Sequence, residues 1–137
     1  MASLRPPLVM VVDDDPVLCE FICMALGEQG YRTVSAGDGM LALTMIEREL
    51  PALILMDVGM PALGGREFAT RVRQLWGDAV PCVVMSGSAP SAADRADPAF
   101  AHFLPKPFDL DDLFAVTELF APQPSLQPEP GSLHRLP

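Results

Sequence analysis

The chain has 137 residues, a length that suits one domain, and 50% of them are apolar, which is enough for a buried core. Its 9 basic and 18 acidic side chains give a formal net charge of −9, which argues against direct nucleic-acid binding because that function needs a basic face. The apolar runs are too short for a membrane-spanning helix, and the N-terminus lacks the long apolar stretch of a signal peptide. We therefore expect a cytoplasmic protein with no membrane contact.

Strand-like and helix-like segments alternate along the chain, which is typical of a parallel sheet with crossover helices. In chain order the predictions are strand 8–12, helix 16–26, strand 31–35, helix 40–50, strand 53–56, helix 66–76, strand 80–85, strand 100–104 and a last helix from 110. Asp15 is expected to cap the first helix with Pro16 at its first position, and Gly27 and Gly30 to stop it. Asp109 is expected to cap the last helix.

Two segments carry little apolar periodicity. Residues 87–99 are rich in Ser, Ala, Asp and Pro, so that any helix there should be short. Residues 121–137 are Pro-rich with few large apolar side chains, which predicts a disordered tail. We expect one domain at 7–120 and the tail at 121–137.

The three cysteines fit a reducing compartment. Cys19 and Cys23 lie one turn apart on a predicted helix and could form a metal pair, but no second Cys/His pair at zinc spacing accompanies them. Cys82 lies within an apolar strand. We expect all three to be small buried side chains.

Side chains that could grip a metal or a phosphate follow four of the predicted strands. They are Asp13, Asp14 and Asp15 after the first, Asp57 after the third, Ser86 after the fourth and Lys106 after the fifth. The carboxyl ends of parallel strands meet at one edge, where open α/β sheets bind ligands. Each residue alone could be a cap, a turn residue or a surface charge, whereas the combination suggests a divalent metal and a phosphoryl group.

The acids make the metal the stronger expectation. Two unit charges about 4 Å apart repel by about 4 kcal/mol at an effective dielectric near 20, so a pocket holding Asp13, Asp14 and Asp57 needs a cation. Lys106 supplies only one positive charge. Because all the donors are oxygens, Mg²⁺ or a similar hard ion is favoured.

The order of these motifs resembles the response-regulator receiver domain of two-component signalling. The motifs are Val11-Val12-Asp13-Asp14-Asp15-Pro16, Leu55-Met56-Asp57-Val58-Gly59-Met60-Pro61, Val84-Met85-Ser86-Gly87 and Phe103-Leu104-Pro105-Lys106-Pro107-Phe108. The resemblance covers about residues 8–120. It implies an α/β fold of flavodoxin-like type, with a doubly wound five-stranded parallel sheet of order 2-1-3-4-5 and a short or irregular fourth helix.

The resemblance also implies roles for the residues. Asp57 would accept the phosphoryl group as an aspartyl phosphate, and Asp13, Asp14, Asp57 and the backbone carbonyl of Gly59 would bind Mg²⁺. Lys106, aimed by a cis peptide before Pro107, would pair with a phosphoryl oxygen. Ser86 would bond the attached phosphoryl group and act as a switch together with Phe103, whose simpler interpretation is a core residue of the fifth strand.

The same resemblance implies partners and marks departures. The phosphodonor would be a histidine kinase or a histidine phosphotransfer protein, and the output an unknown downstream protein. Because only the predicted tail follows the last predicted helix, we expect a receiver that stands alone. The fourth-helix region is shorter than usual and is broken by Pro90 and Pro98. Gly59 and Gly87 leave the pocket without side chains there, and Gly64 stands where an Asp is usual before the third helix.

Two other functions remain open from the residues. Asp13-Asp14-Asp15-Pro16-Val17 fits the D-x-D-x-[TV] pattern of haloacid-dehalogenase phosphatases, with Asp13 and Asp15 as the working acids and Ser86 and Lys106 as later elements. That class needs an acidic pair at a strand end after the lysine, whereas the acids at 109, 111 and 112 begin a helix, and it needs no Asp57. The third possibility is a receiver-like interaction module that takes no phosphate.

Overall fold

The computed structural model describes residues 5–59 and 63–124. Its strands are β1 (Leu8–Val12), β2 (Arg32–Ala36), β3 (Leu53–Asp57), β4 (Cys82–Ser86) and β5 (His102–Pro105). Its helices are α1 (Pro16–Glu28), α2 (Gly39–Arg48), α3 (Gly65–Trp76), α4 (Ala92–Ala96) and α5 (Leu110–Phe120), with a 3₁₀ turn at Gly77–Ala79.

The described strands form one parallel sheet in the order β2-β1-β3-β4-β5. The predicted α/β fold and its strand order are therefore confirmed. Val12 lies opposite Met56, Asp57 opposite Met85, and Ser86 opposite Pro105. This register brings the carboxyl ends of β1, β3, β4 and β5 to one edge, the edge at which the candidate residues lie.

Alternation along the strands divides the core into two layers. Met10 and Val12 pack in the layer shared with α2 and α3, and Val9 and Val11 pack in the layer shared with α1 and α5. All of β1 is buried. Continuous apolar runs are what a strand covered by helices on both faces requires.

The predicted helix starts are confirmed where a side chain caps the helix. The Asp15 carboxylate accepts hydrogen bonds from the amides of Val17 and Leu18, with Pro16 at the first position. Asp109 and Asp112 form a capping box at α5. Asp38, predicted only as part of a turn, caps α2, which begins one residue earlier than predicted and ends at Arg48.

Several predicted boundaries are wrong. Gly27 does not stop α1, which continues to Glu28 and ends before Gly30 at φ 97°. Tyr31 is not yet strand, because its amide donates to the Leu26 carbonyl and completes the helix end; β2 therefore starts one residue later.

The starts of β4 and β5 also move. Pro81 has no amide to donate, and the strand β4 begins after it at Cys82 rather than at Val80. The Phe100 amide donates to the Asp97 carbonyl, so Phe100 closes a turn and β5 begins at His102. The expected short fourth helix is found as α4.

Beyond α5, Ala121 is buried and the Gln123 side chain donates to the Gln29 carbonyl at 2.6 Å. Packing thus continues a few residues past Phe120, and residues 125–137 of the predicted tail lie outside the described part, as do residues 60–62 of the loop after β3. None of the described helices combines the length and apolar character that a membrane crossing requires.

Candidate metal and phosphoryl site

Three carboxylates converge where β1 and β3 end. Asp13 and Asp14 follow β1, and Asp57 is the last residue of β3. The Asp13 amide donates a 3.1 Å hydrogen bond to the Ala36 carbonyl at the end of β2, which fixes the backbone just after β1. Asp13, Asp14 and Asp57 each offer one oxygen, and these oxygens lie within 4.8 Å of one another. The donor set is all oxygen and close enough for one hard divalent cation, so the residues fit Mg²⁺.

Lys106 reaches this acid cluster from the far side of the sheet edge. Its Nζ lies 3.2 Å from Asp13 Oδ2 and 3.9 Å from Asp57 Oδ1. Its amide donates to the Ser86 carbonyl at 2.7 Å, and the Lys106–Pro107 peptide is cis, as the resemblance implies. One ammonium against three carboxylates leaves the cluster negative, which is the condition expected for a metal site.

The acids differ in access. The Asp13 side chain is 2% exposed, and its Oδ1 accepts the Asp15 amide at 2.9 Å. The Asp57 side chain is 23% exposed, while Asp14 lies at the surface. Asp57 is thus the carboxylate that both contacts Lys106 and remains open to an incoming group.

Asp15 lies outside the cluster and stabilises the start of α1 instead. Its carboxylate caps α1, and the described cluster comprises the other three acids. A phosphatase of the D-x-D type would use Asp15 in the reaction, so its use as a cap removes support from that alternative.

The predicted switch residues are placed differently from the cluster. The Ser86 hydroxyl donates to the Ser88 carbonyl at 3.0 Å and accepts the Ser88 amide at 3.1 Å, so it bonds within its own loop. Phe103 is half-buried and meets Phe100 edge-to-face with centroids 5.8 Å apart. Phe103 thus serves as a core residue of β5, and its switching role stays a prediction.

Two glycines shape the loop after Asp57. A Cβ on Gly59, which is exposed, would lie 3.8 Å from Asp57 Oδ2, in ordinary contact. A Cβ on Gly65 would lie 2.6 Å from Val58 Cα and 2.9 Å from the Asp57 carbonyl, distances that real side chains do not tolerate. Gly65, which sequence reasoning missed, lets α3 start against the backbone of Asp57; only the Gly64-Gly65 pair hinted at such a close approach.

One of the three cysteines contacts the backbone of the acid cluster. The Cys19 thiol donates to the Asp13 carbonyl at 3.3 Å. Burial, with the charge of Asp13, raises the pKa of Cys19 to about 11, and burial raises the pKa of Cys82 to about 12. Cys19 and Cys82 are buried as predicted, whereas Cys23 is only half-buried, in a cleft of about 740 Å³ between α1 and β2 that borders Asp13 and Asp14.

Sequence comparison finds relatives among response regulators. The response regulator MprA of Mycobacterium leprae (strain TN) is 36% identical over 110 residues, which are 78% of this chain and 47% of that protein. A response regulator MprA of Mycobacterium sp. (strain KMS) is 35% identical over 113 residues, 80% of this chain and 48% of that protein. The chain therefore spans about half the length of these curated relatives.

Structural comparison agrees on the fold. The chemotaxis response regulator CheY4 of Vibrio cholerae has a TM-score of 0.77 at 24% identity, over 84% of this chain and 98% of that chain. The response regulator TrrA of Thermotoga maritima, solved in complex with Mg²⁺ and BeF, has a TM-score of 0.75 at 25% identity, over 83% of this chain and 98% of that chain. The response regulator receiver domain matches residues 9–118, and the chain belongs to that family.

Proposed function

We propose that this domain accepts a phosphoryl group on Asp57 in a Mg²⁺-dependent transfer from a phosphohistidine, and that the resulting aspartyl phosphate changes its contacts with other proteins. The observation that carries the proposal is the convergence of three carboxylates within 4.8 Å, with the Lys106 ammonium 3.9 Å from Asp57. Two-component signalling is the setting in which receiver domains work, and this domain is a signalling protein whose only catalysis concerns its own phosphorylation state.

The site residues divide the chemistry among themselves. Asp13, Asp14, Asp57 and the Gly59 carbonyl would hold Mg²⁺, which when bound neutralises charge on the transferring group. A carboxylate oxygen of Asp57 attacks phosphorus, the P–N bond of the phosphohistidine breaks, and the imidazole leaves. Lys106 pairs with a phosphoryl oxygen, since its Nζ already lies beside Asp57, and Asp13 holds the ammonium in place.

The chemical change alters the charge at the sheet edge. The Asp57 carboxylate carries one negative charge and an aspartyl phosphate carries about −1.5 to −2, so phosphorylation adds up to about one negative charge and places the charge on the phosphoryl oxygens. A Ser86 hydroxyl that donates to this group must give up the hydrogen bond that it donates to the Ser88 carbonyl, because a hydroxyl has only one proton to donate. The loop after β4 is then released from its present position, and Phe103 can rearrange with it; the population of the two conformations is what phosphorylation biases.

The face beside the acids suits a protein donor. Val17, Phe21 and Met24 follow helical spacing on α1 and are 75%, 49% and 60% exposed. α1 begins directly after Asp15, so this apolar stripe adjoins the open side of the site. A histidine kinase or a histidine phosphotransfer protein is the proposed partner, with a downstream protein as the reader.

Three free thiols are consistent with the reducing cytoplasm as the location.

Incubation with acetyl phosphate, with and without Mg²⁺, tests the proposal by intact mass and by mapping of the modified residue. The wild type should gain one phosphoryl group at Asp57 only with Mg²⁺, and Asp57→Asn should gain none. Asp15→Asn is the matched control, because Asn also caps helices and this variant should still label. Labelling that survives in Asp57→Asn and disappears in Asp13→Asn and Asp15→Asn would support the phosphatase, and no Mg²⁺-dependent labelling at all would support the silent interaction module.

A further inference from the structure

A set of contacts around Arg66 ties the short helix α4 to α3. The Arg66 guanidinium pairs with both Asp94 and Asp97 and lies over the ring of Phe100, 5.0 Å from its centroid. We call Arg66, Asp94, Asp97 and Phe100 the α3–α4 clamp. It was not foreseen from the sequence, and it stands apart from the acid cluster at Asp57.

The clamp links α4 to α3 through two ion pairs. This helix has five residues, none of them buried, so neither its own length nor the apolar core holds it in place. An exposed ion pair alone is worth little, but a planar guanidinium that is shared by two carboxylates and lies over a ring forms a network of several contacts. The Arg66 side chain is 46% exposed and the Asp94 and Asp97 side chains are 28% and 17% exposed, so water screens the two ion pairs in part and the clamp should weaken as salt is added.

The clamp also reaches the residue predicted to switch. Phe100 is 7% exposed and meets Phe103 edge-to-face at an interplanar angle of 75°. Phe103 lies opposite Val84 in the sheet, two residues before Ser86. The Phe103 ring therefore contacts the Phe100 ring, which Arg66 covers on another side.

The loop at residues 87–91 is held at both ends. At its start the Ser86 hydroxyl bonds Ser88, and at its end Ser91 caps α4, which the clamp fixes to α3. When Ser86 turns toward Asp57, the first attachment is lost. The second attachment then decides how far the loop can follow.

We propose that the α3–α4 clamp is a conformational latch that holds the 87–91 loop and Phe103 in the unphosphorylated arrangement. This inference rests on the proposed function, since the latch opposes the rearrangement that phosphorylation favours. A weaker latch raises the population of the active arrangement, and any ligand that binds that arrangement then binds more tightly.

The test compares Arg66→Gln with Arg71→Gln, a matched control on the same helix that removes the exposed pair of Arg71 with Glu67. Amide hydrogen exchange in the free protein should be faster at Ser88 and Ser91, whose amides donate to Ser86 and Asp94, in Arg66→Gln alone. Beryllofluoride, a phosphoryl analogue, is then titrated with Mg²⁺ present and followed by NMR of the Gly87 amide and the Phe103 ring. The beryllofluoride concentration at half-saturation should be about threefold to tenfold lower in Arg66→Gln than in the wild type, which corresponds to about 0.65 to 1.4 kcal/mol of binding free energy.

Phe100→Leu is a second variant that keeps an apolar side chain but removes the ring shared by Arg66 and Phe103, and it should shift half-saturation in the same direction. Unchanged exchange in Arg66→Gln, or an unchanged or higher half-saturation in both variants, would overturn the latch while leaving phosphorylation at Asp57 intact. A wild type that binds no beryllofluoride with Mg²⁺ would overturn both proposals.

Discussion

Asp57→Asn is expected to stabilise the metal-free domain even though it removes the proposed phosphoacceptor. The carboxylate of Asp57 shares a cluster with Asp13 and Asp14, and Lys106 offsets only part of their repulsion. Asparagine has nearly the same shape and no charge, so the substitution removes repulsion without opening a cavity.

The magnitude follows from the distances. At 4.8 Å, the outer limit within the cluster, each carboxylate pair repels by about 3.5 kcal/mol at an effective dielectric near 20. The ammonium of Lys106 at 3.9 Å attracts Asp57 by about 4 kcal/mol at the same dielectric. Two repulsions exceed one attraction by about 3 kcal/mol, and solvent at the exposed Asp14 reduces this difference to about 1–2 kcal/mol.

Thermal unfolding in low-salt buffer with EDTA measures the effect. We expect the Tm of Asp57→Asn to rise by about 3–8 °C, with the gain shrinking as salt is added. Mg²⁺ should raise the Tm of the wild type more than that of the variant, because the variant has lost one ligand.

Glu47→Gln, at an exposed position of α2, is the control for the loss of one negative charge far from the cluster. A Tm of Asp57→Asn in EDTA at or below that of Glu47→Gln would refute the electrostatic reasoning. It would mean that Lys106 already balances the acids and that no cation is needed.

Two further predictions concern the surroundings of the site. Gly65→Ala should lower the free energy of unfolding in urea by about 1–3 kcal/mol and weaken Mg²⁺ binding, because its Cβ would overlap the backbone of Val58, whereas Gly64→Ala, whose Cβ would meet nothing within 4 Å, should do neither. Burial raises the pKa of Cys19 from 9.0 to about 11, so the stability that the protonated thiol contributes is complete below pH 9.0 and is lost as the pH rises through about 11. The free energy of unfolding in urea should therefore fall less between pH 9 and 11 in Cys19→Ala than in the wild type. An equal fall in both proteins would contradict burial of Cys19 as the cause.

Most of the site residues could be predicted from the sequence because they lie at the ends of strands. An apolar run covered on both faces has few alternatives to a central parallel strand, and the first polar residue after it must then lie at the sheet edge. This reasoning places Asp13, Asp57 and Lys106 without any knowledge of the loops between them. It fails where an apolar side chain serves a turn, as at Phe100, whose amide closes a turn with Asp97 rather than joining β5.

What the sequence could not supply is the set of contacts between elements that are distant in the chain. Nothing local marks Arg66 as the partner of two acids beyond β4, because that pairing depends on how α3 and α4 pack. The sequence also could not supply the direction of the Ser86 hydroxyl, which bonds the backbone of Ser88 in the loop after β4.

The acid cluster and the clamp are electrostatic opposites, and this contrast explains how one could control the other. At the cluster three carboxylates share one ammonium, so we expect an added cation to stabilise the site and a phosphoryl group on Asp57 to perturb it. At the clamp one guanidinium pairs with two carboxylates and lies over a ring. These groups already have partners, so we expect a ligand to change their free energy little. Ser86 and the loop after it connect the two. If the latch proposal is right, the response of the domain to phosphorylation depends on the strength of the clamp, which does not contact the phosphoryl group.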